Sequence, residues 1–354
     1  MSQEHFIKNI EIKNFKLFKD FKAEGFGRVN LIGGKNNVGK TAFMEACFLS
    51  QAESTEDLFS KLLEIKTHKD VINNLLSKNS REEDLRTLVT NNIGIGLIST
   101  LNDKRTRILH TILHNGLITI LNIPTIKESS SSLQYEIVDN KIELGGLNLE
   151  SYNYTLTNII DILNTYLENT KINFSINYIS IFSNSNNELE NIIGDLKLNK
   201  KYNQLNNYLK KVFNVDSIDI IKDKPMLEIN GNYLELSEFG QGIKGFINII
   251  TSLLLLENSY LFIDEIENGI HYSNYDTLWK IILTISKEQN VQVFATTHSK
   301  ECIESYARVA KELKDKDITF FKLGRNQQNE LKGMVYPYDW FIDSIKQEEE
   351  VRGW

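Results

Sequence analysis

A chain of 354 residues, 41% hydrophobic and 25% charged, is long enough for two or three domain-sized units with a buried core. Its formal net charge of -7 argues against a global basic footprint for nucleic acid and leaves room only for a local patch. The two cysteines, Cys47 and Cys302, argue against a disulfide framework and fit a reducing, cytoplasmic setting.

The N-terminal MSQEHFIKNIEIK has no apolar signal core. Residues Phe6 to Phe21 alternate apolar and polar, which predicts strands with a turn near Asn14. Lysines 13, 16, 19 and 22 alternate with Phe15, Phe18 and Phe21. The pattern suits a half-buried strand with a solvated face, and also a basic edge that touches nucleotide or nucleic acid. Arg28 to Ile32 then predicts a short apolar strand, and Thr41 to Leu49 a helix.

Between them Gly34-Lys35-Asn36-Asn37-Val38-Gly39-Lys40-Thr41 has the spacing G-x-x-x-x-G-K-T. Glycines let successive N–H groups turn inward on phosphate oxygens. Lys40 supplies charge at the β- and γ-phosphates, the Thr41 hydroxyl is a ligand type for Mg²⁺, and the N-terminus of the helix starting at Thr41 favours an anion. A glycine-rich turn with a chance lysine is the plain alternative.

From about Gln51 the character changes. Thr55 to Ser80 and Arg81 to Val89 predict polar helices. Ile93 to Ile123 predicts strands, with Asn115-Gly116 as a hairpin signal. Lys127 to Ser132 reads as a low-complexity loop, Leu133 to Leu149 as strands turning at Asp139-Asn140 and Gly145-Gly146, and Tyr154 to Glu168 as a helix. No repeat and no sustained heptad pattern is present, so no long coiled-coil arm is expected. Ile172 to Phe182 predicts a strand, Asn187 to Leu196 and Lys200 to Phe213 helices, and Asp216 to Leu236 short strands with a tight turn at Asn230-Gly231.

Phe246 to Leu256 is the longest apolar run; it predicts a buried helix and falls short of the roughly 20 residues that a membrane span needs. Before it, Leu236-Ser237-Glu238-Phe239-Gly240-Gln241-Gly242-Ile243-Lys244-Gly245 is a small-residue loop at a second helix N-terminus, with an ordinary glycine-rich loop as the plain alternative. Ser259 to Ile263 is an apolar run ending in Asp264-Glu265, the pattern of a buried parallel strand. Ligands of open α/β sheets lie beyond the carboxyl ends of such strands. There Asp264 can hold a Mg²⁺ shell and Glu265 can act as general base on water. A strand running into a charged turn would look the same in isolation. Val291 to Thr297 is a further buried strand, with His298 at its tip, placed either to reach a γ-phosphate or as an ordinary surface-turn histidine. One chain with two phosphate-binding helix starts is most economically explained by head-to-tail pairing of two copies.

Taken together, GGKNNVGKT, LSEFGQG, LFIDEIENGIH and VFATTHS resemble the ABC-type ATPase heads of the SMC, RecF and RecN branch. Within that branch the chain looks like small bacterial AAA ATP-binding proteins related to the ATPase domain of OLD-family nucleases. The N-terminal IEIKNFKLFKDF and C-terminal YDWFIDSIKQEEEVR are similar to the same subgroup. The resemblance implies an α/β P-loop NTPase: an ABC-type head with a mixed sheet and flanking helices, formed by 1–50 and 171–354, and a variable inserted α+β subdomain at 51–170. It implies that Gly34, Asn36, Asn37, Val38, Gly39, Lys40, Thr41 and Ala42 bind ATP, with Thr41 and Asp264 on Mg²⁺. Glu265, His298 and Lys40 take the catalytic roles, His298 as the switch histidine. Ser237, Gly240, Gln241 and Gly242 stand where the signature loop belongs, with Ser237 or Gly240 in the serine's place. His271 falls where transporter heads carry an aspartate, and no glutamine marks a Q-loop near Asn177 to Asn184.

The implied activity is ATP hydrolysis by a homodimer or higher oligomer that controls a separate effector such as a nuclease, in anti-phage defence or DNA maintenance. DNA contact is open, a membrane partner is not expected, and no nuclease domain is expected in this chain. The alternative is a nucleotide-clamped sensing module for DNA or a protein, with little turnover. A transporter subunit is disfavoured by the large insert and the atypical signature loop.

Overall fold

The computed structural model describes residues 5–51, 61, 65, 96–101, 105–114, 117–126, 135–138, 141–144, 152–154, 176–179 and 186–347. Strands β1 (Asn9–Phe15), β2 (Phe18–Glu24) and β3 (Val29–Gly33) lead into helix α1 (Lys40–Leu49). Then come β4 (Gly96–Leu101), β5 (Arg105–His114), β6 (Leu117–Ile126), β7 (Tyr135–Val138), β8 (Lys141–Leu144), β9 (Tyr152–Tyr154) and β10 (Ile176–Ile179). Helices α2 (Asn186–Leu198) and α3 (Tyr202–Phe213) precede β11 (Ser217–Ile221), β12 (Lys224–Ile229) and β13 (Asn232–Glu235). The last third alternates as α4 (Gln241–Leu255), β14 (Tyr260–Ile263), α5 (Tyr275–Glu288), β15 (Gln292–Thr297), α6 (Lys300–Leu313), β16 (Ile318–Arg325), β17 (Leu331–Pro337) and α7 (Tyr338–Lys346).

Two compact units result. One is formed by Met1–Phe6, Gly25–Met44 and Asn173–Trp354, the other by Ile7–Glu24 and Glu45–Ile172. The sequence assigned all of 1–50 to the first. In the structure β1 and β2 pair with each other and β1 pairs with β4, so they belong to the second unit's sheet.

That second sheet has the order β2-β1-β4-β5-β6-β9, every neighbour antiparallel. The first hairpin turns at Lys16-Leu17, between Phe15 and its partner Phe18, two residues beyond the turn expected at Asn14. Lys16 takes the left-handed conformation there. Along β2 the aromatic positions Phe18 and Phe21 are buried and Lys19 and Lys22 exposed. Lys13 and Lys22 both pair with Glu11, at 2.9 and 3.2 Å, and Lys16 pairs with Glu45. Two carboxylates, Glu11 and Glu45, thus pair with three of the four lysines of this edge. β5 and β6 pair up to His114 and Leu117 on either side of Asn115-Gly116. β7 and β8 form a separate pair closing at Val138 and Lys141. The helices expected at 55–80, 81–89 and 155–168 and the loop at 127–132 lie outside the described residues.

The first unit is built on a sheet of order β10-β14-β15-β3-β16-β17. Its first five strands run parallel, and β17 closes the edge antiparallel. Strands β3, β14 and β15 are buried along their whole length, which is why their sequences are continuous apolar runs. Successive side chains serve opposite faces. Val29, Leu31, Leu261, Ile263, Val293, Ala295, Ile318 and Phe320 join one core with α4, α5, α6 and α7. On the other face Phe26 packs on Phe294 and Phe321, and Phe43 of α1 on Phe321 at 4.7 Å. Helix α4 is apolar almost all round because it is shared between the sheet and its neighbours α2, α3 and α5. Helix α6 is started by Ser299, whose hydroxyl accepts the Cys302 N–H at 3.1 Å. Two tight turns make the β11–β13 meander, with Asn230 and Gly231 both at positive φ, as the Asn-Gly dipeptide predicted. Among the described residues no helix is long and apolar enough to cross a membrane.

Candidate functional site

The phosphate loop and the residues that face it sit at the carboxyl end of the parallel strands of the first unit. β3 delivers the chain into 34–39, where Gly34, Asn37 and Gly39 all have positive φ. Gly34 has a second constraint. A Cβ there would stand 2.3 Å from the Leu323 carbonyl oxygen of β16, so no other residue fits without moving the neighbouring strand. Helix α1 begins at Lys40, and the Phe43 N–H reaches the Gly39 carbonyl at 2.9 Å. The Lys40 ammonium donates to the Gly34 and Lys35 carbonyls at 2.9 and 3.0 Å, which folds the side chain back over the loop it follows. Burial pushes the Lys40 pKa down, against the pull of Glu267, Asp264 and Glu265.

β14 carries Asp264, yet β14 is not the neighbour of β3. β15 lies between them, with Ile263 opposite Ala295 and Thr296 opposite Ile32. The gap is closed by side chains. The Thr41 hydroxyl donates to Asp264 at 3.0 Å, and the Thr296 hydroxyl donates to the same carboxylate at 2.5 Å. The Thr296 oxygen also accepts the Glu265 N–H at 2.8 Å. Glu265 itself has φ +52, unusual for a non-glycine residue and concentrated in proteins at functional sites. His298, just past β15, donates its N–H to Glu267 at 2.7 Å, and its Nδ1 lies 2.9 Å from the same oxygen.

Lys40, Thr41, Asp264, Glu265 and His298, predicted from separate stretches, therefore stand at one end of one sheet. A hydroxyl and a carboxylate that meet at 3.0 Å are hard oxygen donors suited to Mg²⁺. They supply two positions, and the remainder falls to phosphate and water, as Mg²⁺ commonly has it. No cluster of three or more His, Cys, Asp or Glu side chains able to hold a metal occurs among the described residues.

The second helix start is built differently. Ser237 lies in a single 3₁₀ turn and its hydroxyl donates to Glu235 at 3.2 Å. Gly240 is the N-cap of α4 with no side-chain cap bond, so the N–H groups of Gln241 and Gly242 open the helix. Among the described residues no hydrogen bond joins 237–242 to the phosphate loop of the same chain. Gly242 instead meets Gly269, in the loop after Glu265, backbone to backbone. A Cβ on Gly242 would fall 1.8 Å from the Gly269 oxygen. His271 accepts the Ser273 N–H and caps a short turn, its ring 4.4 Å from that of Tyr272. Two residues of the site, Thr296 and Glu267, lie within VFATTHS and LFIDEIENGIH, but no role falls to them on sequence grounds. The first was one of several polar residues at a strand end, the second one of several carboxylates in a charged turn.

A phosphate loop, a helix N-terminus and an Asp-Glu pair converging at strand ends define a P-loop nucleotide-binding α/β protein. A model of the AAA ATPase domain matches residues 50–303, and the chain belongs to that family. The matched span begins after the phosphate loop, so the loop rests on its own geometry. The chain is 28% identical over 341 residues to an "ATP/GTP phosphatase" of Helicobacter pylori, covering 86% of this chain and 89% of that protein. A stretch of 59 residues is 44% identical to an uncharacterized protein of Methanocaldococcus jannaschii, 16% of this chain and 26% of the other. An SMC head solved with the C-terminal winged-helix domain of ScpA covers 96% of this chain and 99% of its own, with 14% identity and a TM-score of 0.48. A Pyrococcus furiosus SMC head with an extended coiled coil gives 9% identity and a TM-score of 0.49, with 97% and 99% covered. These solved heads are too distant to carry a functional argument.

Proposed function

We propose that the first unit binds Mg-ATP and hydrolyses it, and that two copies pair head to tail around the nucleotide to control a separate effector protein. The observation that carries hydrolysis is the closure of Thr41, Asp264, Thr296 and Glu265 into one hydrogen-bonded set beside Lys40. Family membership and the name of the Helicobacter pylori relative agree with it. Lys40 binds and neutralises phosphate oxygens, with Gly34, Asn36, Asn37, Val38, Gly39 and Ala42 lining the loop that cradles them. Thr41 and Asp264 would hold Mg²⁺, which when bound supplies charge stabilisation at the phosphates. Glu265 orients and deprotonates the attacking water, and His298 meets the terminal phosphate.

What supports pairing is the open N-terminus of α4, unused by its own phosphate loop. Ser237, Gly240, Gln241 and Gly242 would complete the site of the second copy. A nuclease-like effector and a role in anti-phage defence or DNA maintenance follow from the OLD-like resemblance alone.

The test uses the full chain. Wild type hydrolyses ATP with Mg²⁺, Lys40→Ala loses at least about 100-fold in kcat/KM, and Glu265→Gln binds ATP and accumulates as a dimer in light scattering. Normal turnover by Lys40→Ala ends the catalytic reading. A Glu265→Gln protein that binds ATP and stays monomeric ends the pairing.

A further inference from the structure

Glu267 is among the few charged side chains buried in the first unit, 7% exposed. A buried carboxylate is costly unless paired and hydrogen-bonded. Its Oε1 is fully used, receiving the His298 N–H at 2.7 Å and standing 2.9 Å from His298 Nδ1. Its Oε2 is buried with no hydrogen-bond partner among the described residues. His298 is half exposed, so the ring would be free to turn if nothing held it. Both contacts come from one oxygen and fix both ends of the residue, its backbone and its ring.

We propose that Glu267 is the positioning residue of His298: it holds Nδ1 on the protein side and leaves Nε2, on the far edge of the ring, as the nitrogen presented to the terminal phosphate. The inference rests on the reading of His298 given above. The tautomer and orientation of a histidine are commonly set by the partner of its other nitrogen. Here that partner lies two residues after Glu265, so the general base and the histidine are set by one short segment of chain. Glu267 also opposes, with Asp264 and Glu265, the lowering of the Lys40 pKa by burial. A carboxylate that served only as a brace between the loop and β15 would have no need of the ring.

The distinguishing experiment is a double-mutant cycle on the full chain with Glu267→Ala, His298→Ala and both together, reading kcat, KM for Mg-ATP and ATP binding by calorimetry. Glu267→Ala is expected to lower kcat about tenfold with KM changed less than about twofold, and the double variant to be no slower than His298→Ala. Glu267→Gln, which keeps an acceptor oxygen for Nδ1–H, is expected to recover at least about a third of wild-type kcat. Should Glu267→Ala not fold, Glu267→Met fills the same volume without an acceptor and replaces it in the cycle. Losses that multiply in the double variant, or a Glu267→Ala protein at wild-type kcat beside a slow His298→Ala, overturn the proposal and leave the ATPase reading standing. If His298→Ala itself turns over normally, the role of His298 falls and that of Glu267 with it.

Discussion

Thr296→Val removes one hydroxyl from a fully buried site and replaces it with a methyl of similar size. Two bonds go. The Glu265 N–H loses its acceptor at 2.8 Å, and Asp264 loses its donor at 2.5 Å. An orphaned buried N–H costs about 1–3 kcal/mol, and a bond to a charged group contributes about 1.5–3 kcal/mol. Asp264 and Glu265 are both half buried, and Asp264 retains the Thr41 hydroxyl at 3.0 Å, which places both losses at the low end of these ranges. The added methyl returns about 0.8 kcal/mol. The net is about 2 kcal/mol of destabilisation. Trp279 is fully buried in the same unit, so its fluorescence can follow that unit's unfolding in urea. At an m-value of about 3 kcal/mol/M the midpoint falls by roughly 0.7 M. Turnover falls further than stability, by about 10–100-fold, because both Asp264 and Glu265 lose their common anchor. Thr296→Ser keeps the hydroxyl, loses about 1 kcal/mol for the methyl, and turns over within a few-fold of wild type. A Thr296→Val protein as stable and as active as wild type, or a serine variant equally slow, refutes the reasoning.

Gly242→Ala places a Cβ 1.8 Å from the Gly269 carbonyl, a contact with backbone on both sides, and should cost at least about 2 kcal/mol with a loss of turnover. Gly231→Ala has open space around it and only its φ of +78 to overcome, so a loss near 1 kcal/mol with unchanged turnover is the matching control in thermal melts. Asp276 receives two bonds from Arg308, at 2.6 and 3.0 Å, and one from Ser305 at 2.5 Å. The Arg308 bond is the main reason that its carboxyl sits below the usual range, burial opposing. A carboxylate lowered in the folded state stabilises above its unfolded pKa, and that contribution disappears as the pH falls through the folded value. Since both partners are more than a third exposed, Asp276→Asn should cost only about 0.5–1 kcal/mol at pH 7. The difference from wild type should shrink toward zero in denaturation curves taken from pH 5 down to about 3.

How much of this could be read from the chain follows from the range of the interactions concerned. The phosphate loop is local, and its spacing alone placed Lys40 and Thr41 at the start of α1. Asp264, Glu265 and His298 were readable because each ends an apolar run, and parallel strands bring such ends to one edge. Thr296 was not, because its importance depends on β15 lying between β14 and β3, a fact of strand order that no single stretch encodes. The Gly242–Gly269 contact belongs to the same class. Helices α5 and α6 do carry a helical period, in Leu278, Trp279, Ile282 and Ile285 and again in Ile303, Tyr306 and Ala310. Only the motifs at neighbouring strand ends drew assignments there, and β16, β17 and α7 carried no motif of that kind. The split of 1–50 between two units was hidden for a similar reason. The alternation in β1 and β2 shows that a face is buried and does not show which sheet does the burying.

The order of strands has a mechanical consequence. After Ile263 the β14 chain leaves the sheet, since Glu265 turns to φ +52, a conformation that costs a non-glycine residue roughly 1–2 kcal/mol. The link to β15 nevertheless continues for four residues. Asp264 is held by the Thr296 hydroxyl, Glu265 by its oxygen, Ile266 by the Thr296 carbonyl at 3.0 Å, and Glu267 by the His298 N–H. These bonds do for the loop what the ladder does for the strand, and together they offset the cost of the turn. A glycine at 265 would relax the backbone and lose the carboxylate. Through these bonds β15 and the residue just past it fix the positions of the four residues that follow β14.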